Sequence, residues 1–493
     1  MKSCKTLIGA WIFGVCAARG VTLQEVIVRS PAYQNGSELQ ELLGDLMGEE
    51  IDGRLLQRVL DEISRYYRAR GYNSAEAFYP EQTADDGRLV VEIAHPRMEE
   101  VRIGNEAGLN GYAMDLLFDG FHRYEQGYFS ERELTGRLYR LGDLGMFGVD
   151  AAFERAGEAN NVNLKLDLYK VRPVSFAVFA DNHGTEASGR YRAGGQARFN
   201  NLTGSADSLS LFYARSSEAQ NNFSLGYEIP VSARPAVAGA SVCLSDYDLA
   251  GDYEILGAAG RALSFDLYLR EPLVRERGAK LSFDLGARYR LLKDEFEAFD
   301  VEFKKHTWAG WLGLEGAGGT GRLAFSGRGR VTLGTLKNDD EWELYDEGGY
   351  ALAAFDGTFS YSATAYLTLK NRLSMQLGSD NLESSERFIG GGARGVRAYD
   401  SNAVSGDSGI LNSAMLQYRP VDGCDLAFAP HFDAAYVKSA AASGEKLFGA
   451  GLAVGYRLRG FFIDGSLDFP VGRNPTASGD DFKVFLSAGY NYV

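Results

Sequence analysis

An α+β region followed by a transmembrane antiparallel β-barrel is the fold class that this 493-residue sequence predicts. Three observations carry it. Helical periodicity is confined to residues before 173, and from Val174 onward apolar and polar residues alternate one by one. The chain opens on the plan of an exported protein, and no later run reaches the length of apolar residues that a membrane-crossing helix needs. The composition agrees: 60 Gly, 27 Tyr and 29 Phe stand against 11 Pro, a balance that suggests β-structure.

The first residues, MKSCKTLIGAWIFGVCAARG, place Lys2 and Lys5 before an apolar run from Leu7 to Ala18 and then small residues. That is the order of a secretory signal peptide, assigned to residues 1–20, with Ala17 and Gly20 both acceptable before the cut. Phe13, Gly14 and Val15 ahead of Cys16 do not make a lipoprotein signal. Beyond it only Cys243 and Cys424 remain, and nothing local requires a disulfide, so two free thiols are expected. A formal net charge of -15 excludes the basic surface that a nucleic-acid partner needs.

Residues 21–96 and 97–172 read as two units with the same order of strand, helix, helix, strand, strand. In the first, VTLQEVIV is a strand and SELQELLGDLM a helix, followed by a second helix in DGRLLQRVLDEISRYYRARGY. There Leu55, Leu56, Val59, Leu60, Ile63 and Tyr67 recur at three-and-four spacing, and Gly71 sits where a C-terminal cap belongs. GRLVVEIA follows the Asp86-Gly87 turn as a strand. In the second unit MEEVRIGN is a strand, Gly111 to Phe121 and Glu131 to Leu144 are helices, and residues 147–171 form a hairpin turning near Glu158 to Asn161.

From residue 173 to 493 the period is two. Leu263, Phe265, Leu267 and Leu269 alternate with Ser264, Asp266, Tyr268 and Arg270, and Leu281 to Leu291 alternate with Ser282, Asp284, Arg288 and Arg290. RLAFSGRGRVTL and YSATAYLTLK continue the theme, with Arg328, Arg330, Thr364 and Thr368 on the polar face. A soluble sandwich also alternates. Strands of roughly ten residues, the length that crosses a hydrocarbon core at a tilt, together with the export signal, favour the membrane barrel. DFKVFLSAGYNYV, with Phe482, Val484, Leu486, Ala488, Tyr490 and Tyr492 on one face, reads as its closing strand.

Three stretches in this order resemble the outer-membrane transporters of two-partner, type V secretion, the TpsB or ShlB/FhaC/HecB family of hemolysin secretion and activation. Residues 66–105 are similar to its first periplasmic POTRA domain running into the second, and residues 179–211 to its first barrel hairpin. GVRAYDSNAVSGDSG, residues 395–409, is similar to the loop that folds back into the barrel lumen. The resemblance implies a 16-stranded barrel and a lumen loop near 388–409, whose motif residues are Gly395, Val396, Arg397, Ala398, Tyr399, Gly406, Asp407 and Gly409. It implies too that Arg397 pairs with an aspartate of the barrel wall, for which Asp433 in PHFDAAYV is the match. A guanidinium in a narrow lumen needs acceptors for its donors, and a carboxylate offers two at once. Ala398 stands where many relatives have Gly, and His431 and Ala435 stand where Phe and Gly often flank the aspartate. The plug helix common in relatives is not expected, because the first strand follows the signal within a few residues.

The implied function is a translocase in the outer membrane of a Gram-negative-type bacterium, with its N-terminal domains in the periplasm. It would take an unfolded TpsA-like exoprotein through the barrel, have outer-membrane lipid around it and depend on the barrel assembly machinery for its biogenesis. A BamA-type insertase and a passive porin-like barrel are the alternatives. The insertase usually carries more POTRA domains, and a porin has no reason to carry two. No cofactor, metal or catalytic set is expected. GAGGTG at 316–321 has a dinucleotide-binding pattern, but a strand follows it rather than a helix. The histidines, His95, His122, His183, His306 and His431, lack ligand spacing among themselves or with cysteine. Residues 337–349 are acidic without EF-hand spacing and read as a solvated loop. Tyr66, Tyr67, Gly71 and Tyr72 read as core and cap residues of a helix.

Overall fold

The computed structural model describes residues 20–30, 37–157, 161–218, 220–249, 257–340, 347–379, 382–401, 403–420, 425–439, 444–472 and 481–492, with Val15, Cys16 and Ile255. Most of the signal segment, and with it the expected lack of a plug helix, falls outside these residues. So do Glu158 to Asn160, the centre of the acidic stretch, Cys424 and Val493. The chain divides into two compact units, one of Met1–Gly108, Met114–Asp143 and Gly148–Tyr169, the other of Lys170–Val493 with Leu109–Ala113 and Leu144–Phe147.

The first unit holds a three-stranded and a four-stranded sheet, besides a short parallel pairing of Val15–Cys16 with Gln82–Thr83. Strand β1 (Glu25–Arg29), helices α1 (Ser37–Gly44) and α2 (Gly53–Ala69), and strands β2 (Glu76–Phe78) and β3 (Arg88–Ala94) follow in chain order, and β3 lies centrally, parallel to β1 and antiparallel to β2. Asp52 caps α2 by accepting the Leu55 N–H at 2.7 Å. The helix ends where Gly71 takes φ +93°, and Leu55, Val59, Ile63 and Tyr67 on its inner face are buried against Leu89, Val91 and Ile93. Tyr66 and Tyr67 are both buried, and Tyr72 packs against the same core.

The second sheet is built from β4 (Arg97–Asn105), β5 (Gly127–Tyr128), β6 (Gly148–Ala156) and β7 (Asn161–Tyr169) in the order β5-β4-β7-β6, with helices α3 (Gly111–Phe118) and α4 (Glu131–Leu144). The helix expected to reach Phe121 stops at Phe118 and tightens into a 3₁₀ segment, Asp119–Tyr124, which turns Phe121 and Tyr124 into the core. A polar clasp joins the two sheets' domains. Glu131 at the start of α4 accepts the N–H groups of Asn73 and Ser74 at 2.9 and 3.0 Å, and the Arg132 guanidinium donates to the Ala69 carbonyl. A side chain on Gly71 would meet Ser130 Oγ at 2.6 Å. His95 lies edge-on to Tyr72, Tyr128 and Phe129 beside this clasp.

The second unit is a closed antiparallel barrel of sixteen strands. They are β8 (Val174–Asp181), β9 (Arg192–Asn200), β10 (Ser208–Ser216), β11 (Asn221–Pro230), β12 (Val237–Asp248), β13 (Ala258–Glu276), β14 (Ala279–Phe296), β15 (Val301–Thr320), β16 (Leu323–Asn338), β17 (Gly348–Ser362), β18 (Leu367–Gly378), β19 (Ser408–Tyr418), β20 (Ala427–Lys438), β21 (Glu445–Leu458), β22 (Phe461–Pro470) and β23 (Lys483–Tyr492). Each pairs with the next in sequence, and β8 closes on β23 from Phe176↔Tyr492 to Asp181↔Ser487. Among the described residues no helix is long and apolar enough to cross a membrane.

The alternation read from the sequence sorts the two faces. Leu267, Leu312, Leu333 and Leu377 are exposed outward. Between them the polar set faces inward and pairs, as Arg288 with Asp266 at 2.5 Å, and Arg330 and the Trp311 indole with Asp284 at 3.1 and 2.9 Å. Two expectations need correction. Strand length runs from eight residues in β8 to twenty in β15 rather than near ten throughout. The β14–β15 hairpin continues its ladder through Lys293, Glu302 and Lys304, whose ion pairs stabilise strand beyond the apolar band. YSATAYLTLK is also not one strand, because β17 ends at Ser362 and β18 begins at Leu367. Thr364, expected on the polar face, turns the chain by accepting the N–H groups of Tyr366 and Leu367 at 3.1 and 3.0 Å. Cys243 is a free thiol, 3.4 Å from Ser224 Oγ.

Candidate functional site

Between β18 and β19 the chain leaves the barrel wall for residues 379–407, and this segment carries the glycine-rich motif. Its base is a short antiparallel pair, Phe388↔Gly406 and Ile389↔Ser405. The tip is folded on itself by backbone bonds, from Gly390 to Val404 (2.9 Å), Val396 to Gly390 (2.8 Å) and Gly392 to Tyr399 (2.9 Å). Two glycines are required by this shape. Gly392 has φ +88°, and a side chain on Gly395 would lie 2.4 Å from the Gly391 carbonyl oxygen. At the base the Phe388 ring occupies the space a side chain on Gly409 would fill, and Gly406 is pressed as closely to the Lys438 carbonyl.

The tip lies against the wall formed by β19, β20 and β21. Val396, Ala398, Tyr399 and Val404 are buried in one apolar cluster with Leu411, Ala435, Val437 and Leu447. Gly449 leaves the wall flat where Ala398 sits, and the Tyr399 hydroxyl donates to the Phe448 carbonyl at 3.3 Å. Apolar packing on both sides of Arg397 thereby sets the guanidinium at a fixed height against the wall.

There Arg397 meets Asp433. Its Nε donates to Oδ2 and its Nη2 to Oδ1, both at 2.8 Å, in the two-pronged arrangement that suits a planar guanidinium. The Arg397 backbone N–H also reaches Oδ2 at 3.3 Å, and Nη2 donates to Ser413 Oγ at 3.2 Å. The Asp433 side chain is 1% exposed and that of Arg397 14%. Asp407 is buried at the base, 3.7 Å from Arg387.

Two residues join this site: Asp468, which the sequence had not marked, and His431, which it had noted only as a departure beside the aspartate and as a histidine without ligand spacing. Asp468 on β22 lies 4.0 Å from Arg397 Nε, receives Ser466 Oγ at 2.5 Å and faces His431 Nε2 at 2.5 Å. His431 Nδ1 faces the Ala429 carbonyl at 3.2 Å, so each ring nitrogen lies beside an oxygen. His431, Asp433 and Asp468 offer a buried metal-like ligand set, with ligand atoms within 4.8 Å of one another. The Arg397 guanidinium lies against two of its three members. Strand positions on different hairpins make this cluster, and nothing in local spacing could have found it.

Beside the guanidinium a cavity of about 390 Å³ opens in the lumen, walled by Arg397, Arg457 and Asp464 and by the small residues Ala429, Ala453 and Gly465. A closed barrel whose lumen holds a loop pinned by arginine is thus on view. The family model for haemolysin secretion/activation proteins of the ShlB/FhaC/HecB type matches residues 160–458.

The chain belongs to this ShlB/FhaC/HecB family. A ShlB-type POTRA domain model matches residues 21–95. The heme/hemopexin transporter protein HuxB of Haemophilus influenzae (strain 86-028NP) is 25% identical over 420 residues, covering 81% of this chain and 73% of HuxB. The outer membrane transporter CdiB of Escherichia coli O6:K15:H31 (strain 536 / UPEC) is 21% identical over 402 residues, 79% of this chain and 67% of CdiB. Among solved structures, CdiB from Escherichia coli matches with a TM-score of 0.81 at 18% identity, covering 100% of this chain and 93% of that one. BamA from Haemophilus ducreyi lacking POTRA domains 1-3 matches with a TM-score of 0.55 at 13% identity, covering 96% of this chain and all of that one. This ShlB/FhaC/HecB chain is an outer-membrane transporter, with POTRA domains on the periplasmic side of a barrel through which exoprotein is secreted.

Proposed function

We propose that residues 21–96 and 97–172 act as two POTRA domains that capture an unfolded TpsA-like exoprotein by adding it as a strand to an open sheet edge, and that the barrel passes it outward once the loop at 388–409 releases the lumen. Edges are available. Strands β1 and β2 flank the first sheet, and β5 and β6 the second, with Phe153 exposed on nine-residue β6. The observation that carries the reading is the double bond of Arg397 to buried Asp433, which ties the loop to the inner wall of a closed sheet. Transport in this scheme involves no bond-making by the chain. The periplasm offers no nucleotide, so folding of the exoprotein outside gives direction. Lipid surrounds the exposed leucines of the wall, and the barrel assembly machinery inserts the sheet.

The test is a comparison of culture media by mass spectrometry between cells producing the intact chain and cells producing Arg397→Ala. Loss of a large protein from the medium, with the barrel still present in the outer membrane, is the expected result. A medium that does not depend on the chain at all would overturn the reading.

A further inference from the structure

The Arg397 tip is only one of two places where the loop is fastened. Its stem, residues 382–387, is held by a different sector of the wall. Leu382 is buried with Ala309, Tyr350 and Leu352 on β15 and β17. Glu383 Oε1 lies 3.3 Å from Lys305 Nζ, and both side chains are 2% exposed. Lys305 also meets Asp294 at 3.3 Å, and the Glu383 carboxylate accepts the N–H of Ser385 at 2.8 Å and the hydroxyls of Ser384 and Ser385. One turn on, Glu386 pairs with Arg290 at 2.8 Å, and Arg290 donates to Ser385 Oγ at 2.6 Å. Gln376 on β18 ties the two roots of the loop together through the carbonyls of Glu386 and Asp407, at 2.8 and 3.2 Å. The loop therefore runs from an acidic stem on β14 and β15 to a basic tip on β20.

We infer that Lys305, Glu383, Arg290 and Glu386 are positioning residues that form the fixed end of the loop, about which the Arg397 tip swings when the lumen opens. This rests on the reading that the tip releases during secretion. The two ends differ in what release exposes. Parting Lys305 from Glu383 breaks an ion pair whose two side chains are both almost wholly buried. Parting Arg397 from Asp433 delivers the guanidinium to the adjoining cavity, where it can be hydrated. Between the ends stand Gly390, Gly391 and Gly392, the run with least resistance to a change in backbone angles. The swing is thus placed in residues 388–395, and the stem keeps the tip within reach of Asp433 throughout.

Single channels of the full chain in planar bilayers, with potassium chloride as the permeating probe, distinguish the two ends. The chain carries Cys4, Cys16, Cys243 and Cys424 all replaced by serine, so that introduced thiols are the only ones. Lys305→Cys with Glu383→Cys, joined by a short bismaleimide, replaces the stem ion pair by a covalent bridge. Openings are expected at a frequency within about twofold of the parent, while the same variant left unbridged should open at least about tenfold more often, with steps of uneven size. Ala398→Cys with Gly449→Cys, oxidised to a disulfide, pins the tip, and openings should vanish until a reductant is added. A bridged stem that silences the channel, or an unbridged one that behaves as the parent, overturns the fixed-end assignment while leaving the gate intact. Openings that continue with the tip disulfide formed refute the gate itself, and the assignment with it.

Discussion

Replacing Arg397 by alanine removes two charge-assisted bonds to Asp433 and one to Ser413, and leaves a carboxylate that is 1% exposed without its cation. Breaking one side of a fully buried pair costs about 3–5 kcal/mol, and the neighbouring cavity lowers that to about 2–3 kcal/mol by admitting water. At that cost the released loop becomes about 30–150 times more populated relative to the bound one. Asp433 and Asp468, with carboxylate oxygens within 4.8 Å of each other, then lack the guanidinium that faces both. Asp433→Ala is milder, because Arg397 keeps Asp468 at 4.0 Å as a second acceptor. Planar-bilayer recordings should show frequent large openings for Arg397→Ala, fewer for Asp433→Ala, and a double variant little worse than Arg397→Ala alone. The barrel should still run as a compact, heat-modifiable band on a gel. Full addition of the two single effects, or a larger effect for Asp433→Ala, would refute a shared interaction.

Four other outcomes are expected. Deleting residues 21–172 leaves a barrel that reaches the outer membrane, since the closing strand is at Lys483–Tyr492, but empties the medium of exoprotein; undiminished secretion would remove the capture role of these residues. Gly449→Leu drives a side chain into Ala398 and Val396, which a Cβ alone would approach to 2.9 and 3.0 Å, and should reproduce the frequent openings of Arg397→Ala; a silent channel would count against the packing of the tip. Glu131→Ala withdraws the acceptor of two exposed N–H groups between the first two domains, costs about 1 kcal/mol and lowers the melting temperature of the 21–172 fragment by about 2–4 °C in circular dichroism; an unchanged melt would mean the clasp holds nothing. Glu125 is held below the usual carboxylate range by its bond to His122 and then by the Val101 N–H, so its contribution to stability is present above the unfolded carboxyl value and is lost as pH falls through the folded value; an NMR titration at or above the ordinary glutamate value would contradict this.

Local pattern disclosed what depends on neighbours in sequence. The spacing of Leu55, Val59, Ile63 and Tyr67 identified α2 and its buried face, and the alternation from Leu263 to Leu291 separated membrane from lumen. The same two-residue period hid the turn at Thr364, because a serine and threonine run alternates as well in a turn as in a strand. Gly395 and Arg397 were conspicuous since a tight loop needs glycine and a lumen arginine needs an acceptor. Lys305 of the wall meets Glu383 of the loop, and His431 meets Asp468 across β21, only once the strands are paired, and no spacing in the sequence marks either pair. Strand length was also unreadable, because a ladder can run past the apolar band wherever ion pairs such as Lys293 to Glu302 replace lipid contact.

The stem fastening has a consequence for how the pore recovers after use. With one end of the loop held at Lys305 and Arg290, a displaced Arg397 does not diffuse away but stays tethered at a high effective concentration near Asp433. Rebinding is then a short intramolecular search rather than an encounter, and it begins as soon as the passing polypeptide vacates the lumen. A pore built this way would reseal as soon as the tip finds Asp433 again, and the stem shortens the time that it stands open.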